Sequence, residues 1–234
     1  MTDEDQRKLM RYVFYKVDPA WRALPAEDRS LHKKELAAVV ADASCEVYPY
    51  STVGLRGDVD FGLWQIADST EGHQSLQAAI NGTQLGARLE VAYSYLAMTR
   101  KSQYLKGHKH EGQEFELPIS PKGNKYLFVY PMDKKREWYR LDFEARRKVM
   151  GEHFRVGHKY PNVTIHTGYS FGIDDQEFVV AFEGESLGEF LDLVEELRGS
   201  ESSSFTARDV PIFTCVKTPL EKILDQLDGT NPSA

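Results

Sequence analysis

Two cysteines, Cys45 and Cys215, are all that the 234 residues contain. One pair makes too thin a disulfide framework, and its spacing fits no zinc or iron–sulfur pattern, so two reduced thiols are expected. No apolar run approaches the length of a membrane span, and the first ten residues are polar and acidic, without the apolar segment of an export signal. A cytoplasmic location is the default. Positive charge is also scarce: 29 Lys and Arg face 36 Asp and Glu, a net charge of -7. A general nucleic-acid binder would show the opposite balance. There is no P-loop, no GxGxxG after a strand, no HExxH and no GxSxG, so the common signatures of nucleotide, dinucleotide, zinc-protease and serine-hydrolase chemistry are absent.

What is present is the composition of a folded protein, 41% hydrophobic and 28% charged. A chain of this length buries roughly 70–75% of the surface its unfolded form exposes, enough for one large domain or two small ones.

The chain also repeats itself. RYVFYKVDPAWRALPAEDR from Arg11 resembles KYLFVYPMDKKREWYRLDFEAR from Lys125. Tyr12 and Phe14 match Tyr126 and Phe128; Trp21, Leu24, Glu27 and Arg29 match Trp138, Leu141, Glu144 and Arg146, with a three-residue insertion between the two offsets. GLRGDVDFGLWQIAD from Gly54 then resembles GIDDQEFVVAFEGE from Gly172. Helix-like segments follow near 70–87 and 186–198, and apolar stretches near 89–98 and 210–216 close the halves.

β-Branched and aromatic runs such as 126–130 and 177–182 read as strands, and the apolar spacing over 143–157 reads as a helix. Each half thus runs strand, helix, strand, strand, helix, strand, the split βαβ or ferredoxin-like order. The expected organisation is an α+β chain with a first half over 1–100, a connecting segment over 101–124, a second half over 125–220 and a tail over 221–234.

Seven histidines are the main candidates for chemistry. His32 and His73 lie in polar surroundings and are expected at the surface. His108 and His110 form an HxH in the connecting segment. His153 differs, because it falls on the apolar side of its helix, one turn after Val149 and Met150. A buried histidine satisfied by a neighbour needs that placement, and so does an axial ligand to haem. Periodicity does not separate the two.

The surrounding residues do. KYLFVYPMDKKREWYRLDFEARRKVMGEH, with YSFGIDDQEF, LVEELR and DVPIFT further on, resembles the chlorite dismutase family in its coproheme decarboxylase branch, most strongly from Lys125 to Val216. The resemblance implies duplicated ferredoxin-like halves forming a dimeric α+β barrel, a homopentamer, and haem held in the second half. It implies His153 as the axial iron ligand, with Glu201 accepting its other ring proton. Tyr130 takes the place of the tyrosine that relays oxidation, and Lys134 that of a lysine pairing with a propionate. Trp138 and Met150 are expected to line the porphyrin.

The reaction so implied is peroxide-dependent decarboxylation of iron coproporphyrin III (coproheme), substrate and redox centre together, to haem b. Hydrogen peroxide is the co-substrate, and a passing contact with the coproporphyrin ferrochelatase is a further expectation. A chlorite dismutase-like or peroxidase-like haem b enzyme, or a haem-binding or haem-transfer protein without catalysis, are the alternatives. The departures from the family lie on the distal side. His166 stands thirteen residues after His153, where chlorite dismutases carry arginine and one decarboxylase branch glutamine. His166, or His110 or His108 from the connecting segment, is the candidate distal base. No propionate-binding arginine is evident upstream of Tyr130, where Glu116 stands nearby.

Overall fold

The computed structural model of the chain describes residues 7–104 and 121–230. In chain order the first half contains β1 (Leu9–Val17), α1 (Ala26–Ala41), β2 (Glu46–Ser51), β3 (Phe61–Ala67), α2 (Thr70–Asn81) and β4 (Leu89–Met98). The second half contains β5 (Tyr126–Lys134), α3 (Arg136–Arg140), α4 (Phe143–Gly157), β6 (Thr164–Tyr169), β7 (Phe178–Gly184), α5 (Leu187–Arg198), α6 (Glu201–Ser204) and β8 (Thr206–Arg208). β9 (Phe213–Lys217) and α7 (Leu220–Gln226) close the chain. None of these helices is long and apolar enough to cross a membrane.

The chain divides into two compact units. One comprises the first half together with the segment from Thr214 onward. Its strands are antiparallel in the order β4-β1-β3-β2-β9. Alternation along β1 and β3 sends Val13, Tyr15, Val17, Phe61 and Leu63 into one core, where Trp21, Leu36, Leu76 and Ile80 join them. Leu220, Ile223, Leu224 and Leu227 belong to the same core. The segment expected as a tail from residue 221 therefore contributes to α7, whose apolar side seals the first unit, and the division returns to that unit at Thr214 rather than near 220.

The other unit comprises 99–213, with β6-β7-β5-β8 as its antiparallel order. Phe128, Val180, Phe182, Val156, Phe190 and Leu193 form its core, and Tyr130, Met132 and Ile165 pack against it. Helix ends are set by side chains: Asp142 accepts from Ala145 N at the start of α4, and Ser186 from Glu189 N at the start of α5.

The repeat is closer than the amino-acid matches indicate. β1, β3 and α2 correspond to β5, β7 and α5 at one constant offset, 117 residues: Leu9–Val17 to Tyr126–Lys134, Phe61–Ala67 to Phe178–Gly184, and Thr70–Asn81 to Leu187–Arg198. α1 and α4 begin at the same offset. The three-residue insertion expected before the tryptophans is thus absent. Pairing Tyr12 with Tyr126 would set a position on the sheet face away from the helix-packed core against one on that core's face; a strand keeps face parity, and the constant offset pairs Val13 with Tyr130. β2 and β6 are displaced by one further residue, and in the loop after each strand Gly54 (φ 77°) and Gly172 (φ 70°) take the left-handed conformation glycine adopts freely.

Candidate functional site

The second unit gathers the candidates around α6. Two lysines at the end of β5 hold that short helix by its carbonyls: Lys134 Nζ donates to Ser202 O (3.0 Å), Lys135 Nζ to Ser204 O (2.6 Å), and Lys135 N to Phe205 O (2.8 Å). Carbonyls at a helix end lack partners inside the helix and carry partial negative charge, so ammonium groups suit them. Held in this way, α6 turns the Ser202 hydroxyl to His153, whose Nδ1 lies 3.1 Å away. One residue therefore contacts the imidazole through its side chain and the lysine through its backbone.

His153 is half-buried on α4. Burial, with the Lys134 charge adding to it, pushes its pKa down to about 4, so the ring is neutral at pH 7. Its Nε2 has no hydrogen-bond partner among the described residues. Lys134 is lowered to about 8 by burial, against the opposing influence of Asp209 and Glu177. Its Nζ also donates to Thr206 Oγ1 (3.3 Å) and lies 5.4 Å from the centre of the buried Trp138 ring. Among the described residues no carboxylate stands within ion-pair reach of it.

Tyr130 shares the helix-facing side of the sheet with Phe128 and Phe182, stacking on Phe182 at 6.0 Å. Burial raises its pKa, Asp209 adds to the rise and the Arg198 charge opposes it. The phenol is therefore protonated throughout the neutral range. Met150 is half-buried on α4, one turn before His153. Trp138 is 3% exposed, wedged between Tyr104 and Phe205. Below it Glu177 ties β5 to α3: it accepts from Lys134 N, Arg136 and the Tyr139 hydroxyl.

Other expected placements differ. Glu201 is exposed, and its backbone N–H donates to the Glu152 carboxylate; the residue in hydrogen-bond contact with His153 Nδ1 is one further along, Ser202. Four consecutive residues, Glu201–Ser204, form α6, and a single-residue step in so short a helix exchanges a carboxylate for a hydroxyl. His166 is 4% exposed and alternates with Ile165, so it lies on the face of the sheet opposite Tyr130 and Phe182. There its Nε2–H donates to Glu183 Oε2 at 2.8 Å. Burial works against the Glu183 charge, yet hydrogen bonds from His166 and from Lys122 N and Gly123 N hold its pKa below the usual value. His166 is thereby a structural partner of a buried carboxylate. His108, His110 and Glu116 fall outside the described residues.

In the first unit His73, expected at the surface, is 5% exposed, with Nδ1 3.1 Å from Gln65 Oε1. His32, also expected there, is half-buried and accepts from Trp21 Nε1 at 3.3 Å. The residue that sequence reasoning missed is Ser202. Its one signal was the serine run Ser202–Ser204 beside the acidic position.

Fold and site together define a duplicated ferredoxin-like α+β protein that keeps a neutral imidazole, a lysine held by α6 and a half-buried phenol in one of its two halves. The family description that matches is chlorite dismutase, over residues 21–218. The chain belongs to the chlorite dismutase family. It is 32% identical over 179 residues to the coproheme decarboxylase of Mycolicibacterium smegmatis, covering 76% of this chain and 75% of that one. It is 30% identical over 214 residues to the coproheme decarboxylase of Staphylococcus carnosus, covering 82% and 84%. Among solved structures, the chlorite dismutase of Candidatus Nitrospira defluvii in complex with imidazole superposes with a TM-score of 0.86 at 28% identity, covering 94% of this chain and 95% of that one.

Proposed function

We propose that the protein is a coproheme decarboxylase, converting iron coproporphyrin III to haem b with hydrogen peroxide. The observation that carries this reading is the pairing around Ser202. A neutral imidazole whose Nε2 has no partner among the described residues, and a half-buried ammonium with no described carboxylate in ion-pair reach, meet at one residue. The donor set fits an iron porphyrin bearing propionates. Among the described residues no three His, Cys, Asp or Glu side chains stand close enough to hold a metal. His153 would hold the iron of such a porphyrin through Nε2, and the macrocycle would supply the other donors. Lys134 supplies the point charge for a propionate, and Met150 and Trp138 the apolar lining.

When bound, the iron porphyrin supplies the centre at which peroxide is reduced. For each propionate removed, one peroxide becomes two waters, the side chain loses two electrons and becomes a vinyl group, and its carboxyl carbon leaves as carbon dioxide. Tyr130 is the residue suited to carry charge between the two events. Its protonated phenol would give up one electron together with its proton and recover both from the propionate side chain; the second electron would return to the porphyrin centre as the carbon–carboxyl bond breaks and carbon dioxide leaves. Lys134 orients the carboxylate, and the apolar surroundings keep water from competing for the oxidant.

The decisive experiment is incubation of the purified protein with coproheme and peroxide, followed by mass spectrometry. Loss of two carboxyl groups is expected; an unchanged porphyrin ends the proposal. Tyr130→Phe is expected to abolish turnover while porphyrin affinity stays within about fivefold, because a single neutral hydroxyl contributes about 1 kcal/mol or less to binding.

A further inference from the structure

The side chains behind His153 form a hydrogen-bonded line whose direction is fixed by proton counting. Ser200 Oγ lies 2.7 Å from the carbonyl oxygen of Leu197. A carbonyl only accepts, so the one hydroxyl proton of Ser200 is committed there. Ser200 Oγ and Ser202 Oγ are 3.0 Å apart, and with the Ser200 proton spent, Ser202 is the donor of that bond. The Ser202 proton is then spent in turn. Its oxygen meets His153 Nδ1 as an acceptor, at 3.1 Å, and Nδ1 carries the proton. A neutral imidazole has one N–H, so the lone pair is on Nε2.

We propose that the Leu197–Ser200–Ser202 line is a positioning device: it locks His153 in the Nδ1–H tautomer, presents Nε2 to the iron, and through Ser202 gives the ligand a neutral hydrogen-bond acceptor. The inference rests on His153 being the iron ligand.

The start of the line explains its polarity. Leu197 is in the last turn of α5, where carbonyls carry partial negative charge, and its oxygen takes the Ser200 hydroxyl proton beside the N–H of the same residue at 3.1 Å. Each hydroxyl polarised in this way is a better acceptor for the next donor. Ser202 is 3% exposed and Ser200 6%, so water does not compete for these bonds. The chemical consequence lies in the nature of the last acceptor. A carboxylate on Nδ1 would draw the proton about twice as strongly as a hydroxyl and give the ring imidazolate character. Serine leaves the imidazole a weaker donor to iron, and the iron a stronger acceptor of electrons. The nearest acidic residue in sequence, Glu201, points to solvent instead.

The test uses the holoprotein loaded with iron coproporphyrin and reduced to the ferrous state, with the iron–imidazole stretching frequency read by resonance Raman. Ser202→Ala is expected to lower that frequency and to weaken porphyrin affinity about tenfold, the usual effect of removing the partner of a ligating histidine. Ser202→Thr should restore both, and Ser202→Asp should raise the frequency above wild type. Ser200→Ala keeps Ser202 in place but frees its proton, so a smaller downward shift is expected; it also stands in if Ser202→Ala fails to fold. An unchanged frequency in both alanine variants overturns the device while leaving the ligand intact. A stretch that survives His153→Ala instead overturns the ligand assignment beneath it.

Discussion

Val13, Val17 and Leu36 occupy in the first half the positions that Tyr130, Lys134 and His153 occupy in the second. The scaffold under the two trios is the same, strand for strand at the constant offset, yet one trio is fully apolar and the other carries a phenol, an ammonium and an imidazole. The exchange runs the other way as well. Gln65 and His73 pair in the first half where Phe182 and Phe190 pair in the second, their ring centroids 5.2 Å apart. What separates the trios is what covers them. In the first unit Leu220, Ile223, Leu224 and Leu227 of the C-terminal segment share a core with Val13, Val17 and Leu36. There the C-terminal segment fills the space beside the sheet, whereas the second unit's core draws on β5, β7, α4 and α5.

The largest effect that tests this contrast comes from giving the second half the residue of the first. His153→Leu is expected to lower iron-porphyrin affinity well beyond the roughly tenfold expected for losing its hydrogen-bond partner Ser202. A spectrophotometric titration of the Soret band reads it, and a curve equal to wild type breaks the contrast at its centre.

The duplication was legible because Trp21 and Trp138 sit in like contexts and turn glycines recur at Gly54 and Gly172. Its register was not. Matching aromatics by identity set Tyr12 against Tyr126, whereas folding preserves which face a residue takes and tolerates a change of type. His153 stood out because an imidazole on an apolar helix side is uncommon. Ser202 did not, since a hydroxyl on a four-residue helix gains meaning only from the neighbours that three-dimensional structure brings to it. His166 looked like a site residue by distance along the chain. One step of strand alternation turned it to the opposite face, where the buried Glu183 holds it. The role of α7 was hidden for another reason: the core it completes begins some two hundred residues earlier, and nothing local marks a partner so distant.

The reverse exchange is the next test. Leu36→His places an imidazole in a core position 1% exposed, within the apolar cluster of the first unit. A loss of about 3 kcal/mol in denaturant unfolding is expected, from lost apolar packing plus an unsatisfied polar group. No second porphyrin should bind, because α7 occupies the place. Two porphyrins per chain would show that the covering helix is not what distinguishes the halves.

The seal on α7 has its own latch. Asp228 accepts from Lys33 Nζ and Arg29 Nε, both at 2.7 Å, and Lys33 stands where the second half has Met150. Burial disfavours the Asp228 charge, but hydrogen bonds from Lys33, Thr230 and Arg29 outweigh it and hold the pKa at about 2. The folded pKa is depressed, so the stabilisation is complete above the unfolded value of 3.8 and is lost as pH falls toward 2. Asp228→Asn should cost about 2 kcal/mol at neutral pH and flatten stability across that acid window. Equal acid unfolding curves for variant and wild type would remove the latch from the account.

The smallest effect falls on the lysine. Lys134→Val, again the first half's residue, is expected to weaken coproheme binding about tenfold, the worth of one partly screened ammonium–carboxylate contact. Its pH dependence is the sharper observable. In the free protein burial keeps the Lys134 pKa at about 8, and an arriving carboxylate raises it. Affinity should therefore be constant below pH 8 and decline above it, as the free protein loses the proton that the complex retains. Lys134→Val should bind more weakly and without that decline. A decline above pH 8 that persists in the variant would move the propionate contact to another cation and leave Lys134 as no more than the clamp on α6.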